Sequence, residues 1–163
     1  MGFELDSKRA VLNSYGVRTT NGKFGGQQST KNGIIKSAIW DFSYNDLPSA
    51  TASNLQQVIP ANATIVSSKF YVDVAFASSS GNTDLDVGFY TSANVAIDAD
   101  GLHTVTQLTN SAIGTAGSVY TGAGALVGFT IGATAGELVV TPNTADLTAG
   151  KARIVVEYVL DEN

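Results

Sequence analysis

No cysteine occurs among the 163 residues, and histidine occurs once, at His103. The first absence excludes a disulfide framework, a thiol nucleophile and a zinc–thiolate site; the second excludes any centre built on several imidazoles. Charge is scarce as well: Asp, Glu, Lys and Arg make up 14% of the chain, against roughly 25% in an average soluble protein. Every apolar stretch is broken by Gly, Asp or Ser well short of the ~20 residues that span a membrane. The opening MGFELDSKRA has no basic segment leading into an apolar core, as a secretory signal would. Asp6 stands where myristoylation at Gly2 wants Ser or Thr. Neither a membrane partner nor export is expected. What the chain does have is 44% apolar residues and 17 glycines, so small neutral side chains form much of the surface. The length suits one domain, or one domain with an arm, and is enough to bury a sizeable core.

The formal charge of -5 is unevenly spread. Residues 1–36 carry Lys8, Arg9, Arg18, Lys23, Lys31 and Lys36 against Glu4 and Asp6, a net +4, while the remaining 127 residues carry Lys69, Lys151 and Arg153 against twelve acids, a net -9. The basic part is rich in Gly, Asn, Gln and Thr, is punctuated by Asn21-Gly22, Gly25-Gly26 and Asn32-Gly33, and keeps no period of 2 or 3.6. Two readings fit it. It is a tail or set of loops lying on its own domain, or it is an extended arm that orders against a partner. In the second reading Phe3, Leu5, Leu12, Tyr15 and Phe24 are isolated anchors between flexible joints, and Lys8, Arg9, Arg18 and Lys23 supply the charge. Nucleic acid is a poor partner, because six basic residues over 36 are dilute and the acidic remainder repels a polyanion.

From Ile34 onward the hydrophobic period is 2. Ala38, Trp40, Phe42 and Tyr44 alternate with Ile39, Asp41 and Ser43, a half-buried strand ended by Asn45-Asp46-Leu47-Pro48. Over 63–77, Val66, Phe70, Val72, Val74 and Phe76 are expected on one face, and Ser67, Lys69, Tyr71 and Asp73 on the other. A turn at SSSGN then leads to Leu85, Val87 and Phe89, read as the second arm of a hairpin. The stretch 92–117 is looser, with pulses at Val95, Ile97, Leu102, Val105 and Leu108 that suit two short strands or loops. Ala125, Val127, Phe129 and Ile131 open another strand, 137–141 another, and 152–160 the last, with Ala152, Ile154, Val156, Tyr158 and Leu160 on one face. About eight short strands and no sustained helical pattern predict an all-β fold, an antiparallel β-sandwich of jelly-roll type. The expected organisation is an arm over 1–36 and a sandwich over 37–163. In TGAGALVGFTIGATAGE the small residues suit either subunit packing or tight turns within the sandwich.

Few residues suggest chemistry. No G-x-S-x-G presents a nucleophile, and His103 within LHTVTQ reads as a surface or loop residue. Asp84 with Asp86, and Asp98 with Asp100, could pair carboxylates for glycoside hydrolysis, but they sit in a hairpin and a turn with no sign of a cleft, so a solvated strand face and an Asp-Gly turn is the expectation. Asp98-Ala99-Asp100-Gly101 opens like a calcium loop, yet its twelfth position is Thr109; a looser site from distant aspartates is the remaining route to calcium. The glycines at 122, 124 and 128 are one residue too long for G-x-G-x-x-G and lack a βαβ setting. Asn62-Ala63-Thr64 fits a glycosylation pattern, which means little without secretion. No catalytic residue, metal site or cofactor is expected.

The segments IPANATIVSSKFYVDVAF, IDADGL and VGFTIGATAGELVVTPNTADLTAGKARIVVEYV resemble stretches of tailed-bacteriophage virion structural proteins, above all the capsid decoration (cement) proteins of short-tailed phages. The resemblance spans roughly residues 58–160 and is one of texture. It implies a jelly roll or similar sandwich whose N-terminal arm reaches over neighbouring capsomers, with no catalytic residues. It further implies a capsid-exterior location after synthesis in the host cytoplasm, and the major capsid protein as partner. On this reading the basic arm lies on an acidic capsid rim with Phe3, Tyr15 and Phe24 filling pockets, and self-association as a homotrimer or other homo-oligomer suits the local threefold axes of a shell. The competing expectation is a receptor- or glycan-binding module of a tail fibre or spike, with Tyr71, Tyr90 and Tyr120 as a platform.

Overall fold

β-Branched and aromatic residues alternating with polar ones favour a pleated surface buried on one side, and most of the chain follows that rule. A computed structural model describes residues 14–15, 27–28, 34–47, 53–81, 84–143 and 145–160. The strands are β1 (Ser14–Tyr15), β2 (Gln27–Gln28), β3 (Lys36–Ser43), β4 (Ser53–Ile59), β5 (Ala63–Ser78), β6 (Leu85–Tyr90), β7 (Ala96–His103), β8 (Val119–Thr121), β9 (Gly136–Pro142) and β10 (Leu147–Leu160), with a 3-10 turn at Tyr44–Asp46 and one α-helical turn, α1 (Asn110–Ile113), among the described residues. β1 and β2 pair with each other; the rest form two antiparallel sheets, β3-β10-β5-β8 and β4-β9-β6-β7.

This order is nested. β6 pairs with β7, β5 with β8, β4 with β9 and β3 with β10, as if one long antiparallel ribbon had been wrapped so that successive rungs fall in opposite sheets. That is the jelly-roll arrangement, and the expected sandwich of about eight strands is what forms. Trp40, Phe42, Phe70, Phe76, Ile154 and Val156 from the first sheet meet Ile59, Leu85, Val87, Phe89, Leu138 and Val140 from the second in one core. Phe70 stacks edge-on to Phe42 with ring centroids 6.0 Å apart, and each also lies beside Phe76. Each such side chain, once buried, stabilises by about 1.5 to 3 kcal/mol.

Several expectations hold in detail. Trp40 and Phe42 point inward from β3 while Ile39 and Asp41 are exposed, and the strand ends where the Asp46 carboxylate accepts both the Ser43 N–H at 2.8 Å and its hydroxyl at 3.0 Å. Leu85, Val87 and Phe89 are buried in β6, and Ala152, Ile154 and Val156 in β10.

Other expectations are corrected. β5 and β6 are not a hairpin: β5 already has β10 and β8 on its two edges, so the chain after Ser78 crosses to the other sheet, where β6 pairs with β7 and β9. Val66 and Val74 are 41% and 50% exposed instead of buried, while Ile65 and Ser68 face inward. The ladder with β10 steps from Glu157–Ser67 to Tyr158–Ile65, and from Lys151–Val74 to Ala152–Val72. Each step is a β-bulge that gives β5 an extra residue and turns it outward. Residues 125–131 form no strand. They run as turns beside the start of β5, tied by the Thr64–Thr130 bridge and by Gly128 N–H to Ile65 C=O, with φ positive at Gly128 and Gly132; Phe129 is left 66% exposed. The close approach of Gly122 and Gly124 is internal, against Leu102 and Gly101 of β7. β4 has no counterpart in the sequence reading. The loose stretch contains all of β7 and α1, and His103 is fully buried at the end of β7, not at the surface.

Candidate docking surface

β10 runs between β3 and β5, so residues of one parity on three strands come side by side on the outer face of the first sheet. One row reads Ile39, Val155, Lys69, Thr121; the next reads Asp41, Arg153, Tyr71, Val119. Beyond them lie Ser43, Lys151 and Val74 on one side and Ser37, Glu157 and Ser67 on the other. Ile39, Val74 and Val119 are each about half exposed, Val155 and Tyr71 half-buried, and Lys69, Lys151 and Arg153 exposed.

The charges on this face are unevenly committed. Arg153 Nε donates to Asp41 Oδ1 at 2.7 Å, and that hydrogen bond with the Asp41 charge raises the guanidinium pKa further. With both partners about half exposed, the pair fixes orientation more than it stabilises. Ser67 Oγ donates to Glu157 Oε2 at 2.8 Å. Lys69 and Lys151 form no ion pair among the described residues.

The basic residues of the strands gather in one sheet while the acids are shared by both. Lys36, Lys69, Lys151 and Arg153 all lie in strands of the first sheet, together with Asp41, Asp73 and Glu157. The strands of the second carry Asp86, Asp98, Asp100 and Glu137 and no basic residue. There the two aspartate pairs are brought together: burial, Asp100 and Asp84 raise the Asp86 pKa against hydrogen bonds from Asn143 and Val105, and burial and Asp100 raise that of Asp98. Asp98 to Gly101 lie within β7, not in a loop, and no three of the described His, Asp and Glu side chains converge to hold a metal ion.

His103 Nε2 lies 2.9 Å from Ser68 Oγ, a distance that suits a nucleophile and its base. Both residues are fully buried, Phe70 stands edge-on at 5.9 Å, and Nδ1 has no partner. Burial lowers the imidazole pKa to about 4. Without a carboxylate at Nδ1 or a path for substrate, the pair is part of the core. No motif links residues 35 positions apart; only the strand order unites them.

Of the arm residues, Phe3, Leu5, Lys8, Arg9, Leu12, Arg18, Lys23 and Phe24 lie outside the described residues, and Tyr15 is placed by its backbone alone, opposite Gln27. Lys36, counted with the arm, is the first residue of β3. Tyr71, Tyr90 and Tyr120 do not make a platform. Tyr71 faces outward on β5, Tyr120 packs on the core with its hydroxyl donating to Ala112 C=O at 2.7 Å, and Tyr90 belongs to the other sheet. The outer face itself was half legible, since Lys69, Tyr71 and Ile39 alternate with core residues; that Arg153 and Val155 would stand between them depends on the strand order.

The same fold occurs in solved phage capsids. A chain of the capsid asymmetric unit of cyanophage Pam1 superposes with a TM-score of 0.58 at 14% identity, over 89% of this chain and 98% of that one. A chain of the capsid of Ralstonia phage GP4 gives 0.59 at 19% identity, over 81% and 88%. A chain of the acid-stable capsid of Helicobacter pylori bacteriophage KHP30 gives 0.54 at 17% identity, over 80% and 91%. No family model and no curated protein matches this chain.

Proposed function

We propose that this chain is a non-enzymatic structural protein of a phage virion, bound to the outside of the capsid and stabilising it by bridging neighbouring capsomers. The observation that carries the reading is the extent of the structural likeness: the jelly roll coincides with chains of three phage capsids over at least 80% of its own length and 88% of theirs. The sealed Ser68–His103 pair offers no competing chemistry.

The partner is the major capsid protein. In this reading the basic leader is the bridging element, with Phe3, Leu5, Leu12, Tyr15 and Phe24 as anchors and Lys8, Arg9, Arg18 and Lys23 meeting an acidic rim. The body associates as a homotrimer or other homo-oligomer. A shell repeats its docking surface many times, so two modest contacts per copy, joined by a short linker, exceed either alone by about 10² to 10⁴. Because the ligand binds the assembled shell and not its separated parts, occupancy shifts the equilibrium toward the shell.

The test is equilibrium co-sedimentation with DNA-free heads. The full chain should bind to a fixed stoichiometry and raise the temperature at which heads disassemble. Removing residues 1–33, which spares β3, should abolish saturable binding. Unchanged affinity of the truncated chain overturns the bridging role of the leader. Binding to host cells or glycans but not to heads overturns the reading as a whole.

A further inference from the structure

We infer that the segment 122–131 is an acid-released strap: it closes one edge of the sandwich over His103, and protonation of that ring detaches it locally while the rest of the jelly roll stays folded. The inference concerns the body alone and does not depend on the capsid reading.

The strap is stitched to both sheets in turn. Gly122 N–H donates to Ser68 C=O of β5 at 2.8 Å, and Gly124 and Leu126 N–H donate to Leu102 and Gly101 C=O of β7 at 3.2 and 2.9 Å. Gly128 and Ile131 N–H then return to Ile65 and Ala63 C=O of β5 at 2.8 and 3.0 Å. The strap thus joins the side of the sandwich where β8 and β7 end their sheets. Gly122 lies directly on the Ser68–His103 pair: a Cβ there would stand 2.9 Å from Ser68 Cβ and 3.4 Å from His103 Nε2. Backbone, not a side chain, is what covers the pair.

With the strap in place the ring has no room for a second proton. A charged imidazole donates from both nitrogens. Nε2 has Ser68 Oγ, Nδ1 has no partner, and Phe70 stands edge-on to the ring. No anion answers the charge either. The titratable side chains on the surrounding elements are Lys69, Tyr71 and Asp73 of β5, Asp86 and Tyr90 of β6, Asp98 and Asp100 of β7, and Tyr120 of β8. Tyr120 gives its hydroxyl to Ala112 C=O, and the strap itself carries no titratable group. Burial alone lowers the ring pKa, to about 4.

Protonation therefore requires water at the ring, and the strap is the part that yields most cheaply. β5 and β6 have neighbours on both edges, whereas β8 pairs with β5 over three residues only. Of the strap side chains Ile131 is buried, and Leu126 and Val127 are half-buried. Few buried apolar groups and irregular backbone bonding mark a segment that opens before the rest. A second anchor does not titrate: Gln107 donates from Nε2 to Thr121 C=O at 2.9 Å and accepts Ala123 N–H at Oε1 at 3.1 Å. Once the strap is off, the wetted ring regains its ordinary pKa of 6.5. The released state then holds a proton that the closed state lacks, so its share grows by about 20-fold from pH 7 to pH 5.

The experiment is native-state amide hydrogen exchange of the full-length chain at pH 7, 6 and 5, each with and without low denaturant. The amides of Gly122, Gly124, Leu126 and Gly128 should be less protected than those of the β3–β10 ladder and nearly insensitive to denaturant, because local opening exposes little surface. Their protection should fall by about 20-fold from pH 7 to pH 5 in the wild type, and by less than about 2-fold in Ser68→Ala/His103→Leu. Asn94 N–H, bonded to Thr91 C=O at 2.9 Å in the β6–β7 turn, opens without wetting the ring and should hold its protection within about 2-fold. Gln107→Ala should lower strap protection by about 10-fold at every pH while keeping the wild-type pH dependence. Strap amides that exchange only together with the ladder, with the same protection and denaturant slope, overturn the strap as an independent unit. An equal fall in the double variant overturns His103 as its trigger. If the double variant does not fold, strap protection that stays flat from pH 7 to pH 5 in the wild type and in Gln107→Ala overturns the proposal by itself.

Discussion

Burial takes the His103 imidazole out of water with only the Ser68 hydroxyl against Nε2, and the ring stays neutral down to about pH 4, below its ordinary 6.5. In the unfolded chain the ring takes up its proton near pH 6.5. Between the two values the unfolded state therefore binds more protons, and stability falls as pH falls, by about 1.4 kcal/mol per unit. Above pH 6.5 the group has no effect, and near pH 4 the loss is complete. Asp86 and Asp98, whose pKa values are raised, work in the opposite direction: the folded state protonates them first, which returns some stability in the carboxylate range. The window owned by His103 is thus about pH 6.5 to 5. Across it the melting temperature should drop by about 4 to 8 °C, and the drop should at least halve in Ser68→Ala/His103→Leu, which removes the titrating ring and its partner together. Parallel melting curves for both proteins at pH 7 and pH 5 check this; equal drops would show that the ring is not the group responsible. One histidine in a sequence gives no sign of which way it will titrate, because the sign comes from burial, as Ser68 and Phe70 of the first sheet close over a ring carried by the second.

At the scale of single elements, alternation was a sufficient guide wherever the ladder is regular. β3 pairs with β10 over eight consecutive residues without a shift, and Trp40, Phe42, Ile154 and Val156 fall inward as the period demands. β5 departs from the period because its bulges insert residues that no local pattern marks: Val66 and Val74 are as apolar as their buried neighbours. β4 was hidden for the converse reason, since Ser53–Ile59 reads SNLQQVI and shows no alternation strong enough to register. Residues 125–131 do alternate, yet glycines at positive φ break the run into turns. The bulges make a sharp mutational contrast. Val66→Thr and Val74→Thr should each change stability by less than about 0.5 kcal/mol, as exposed positions do, whereas Ile65→Ala, one residue away, should cost about 2 to 5 kcal/mol. Denaturant unfolding of the three variants measures it. A loss at Val66 comparable to that at Ile65 would mean that β5 runs smoothly and buries the valine.

At the scale of the whole molecule, the strand count and class were legible but the strand order was not, since nesting β3 with β10 and β4 with β9 depends on contacts between the two ends of the domain. The same order explains why the basic residues gather: Lys69 and Arg153 come from strands far apart in sequence that happen to lie in one sheet. It also sets what can be removed. The buried core among the described residues begins at Trp40, so a chain starting at residue 34 keeps every one of those side chains and should melt within about 3 °C of the full-length protein, losing less than about 1 kcal/mol. Ending the chain at residue 146 instead removes β10, which supplies Ala152, Ile154 and Val156 to the core and is the hydrogen-bonding neighbour of both β3 and β5. The first sheet is then left as separate strands with exposed edges, and burial lost at these positions exceeds the ~5 to 15 kcal/mol by which a domain is stable. That shorter chain should show no cooperative melt and should be digested by protease under conditions where the chain lacking residues 1–33 survives. A cooperative transition in the protein ending at 146 would show that the second sheet holds its fold without the ribbon's return strand, and that the nesting is an arrangement of convenience and not the source of stability.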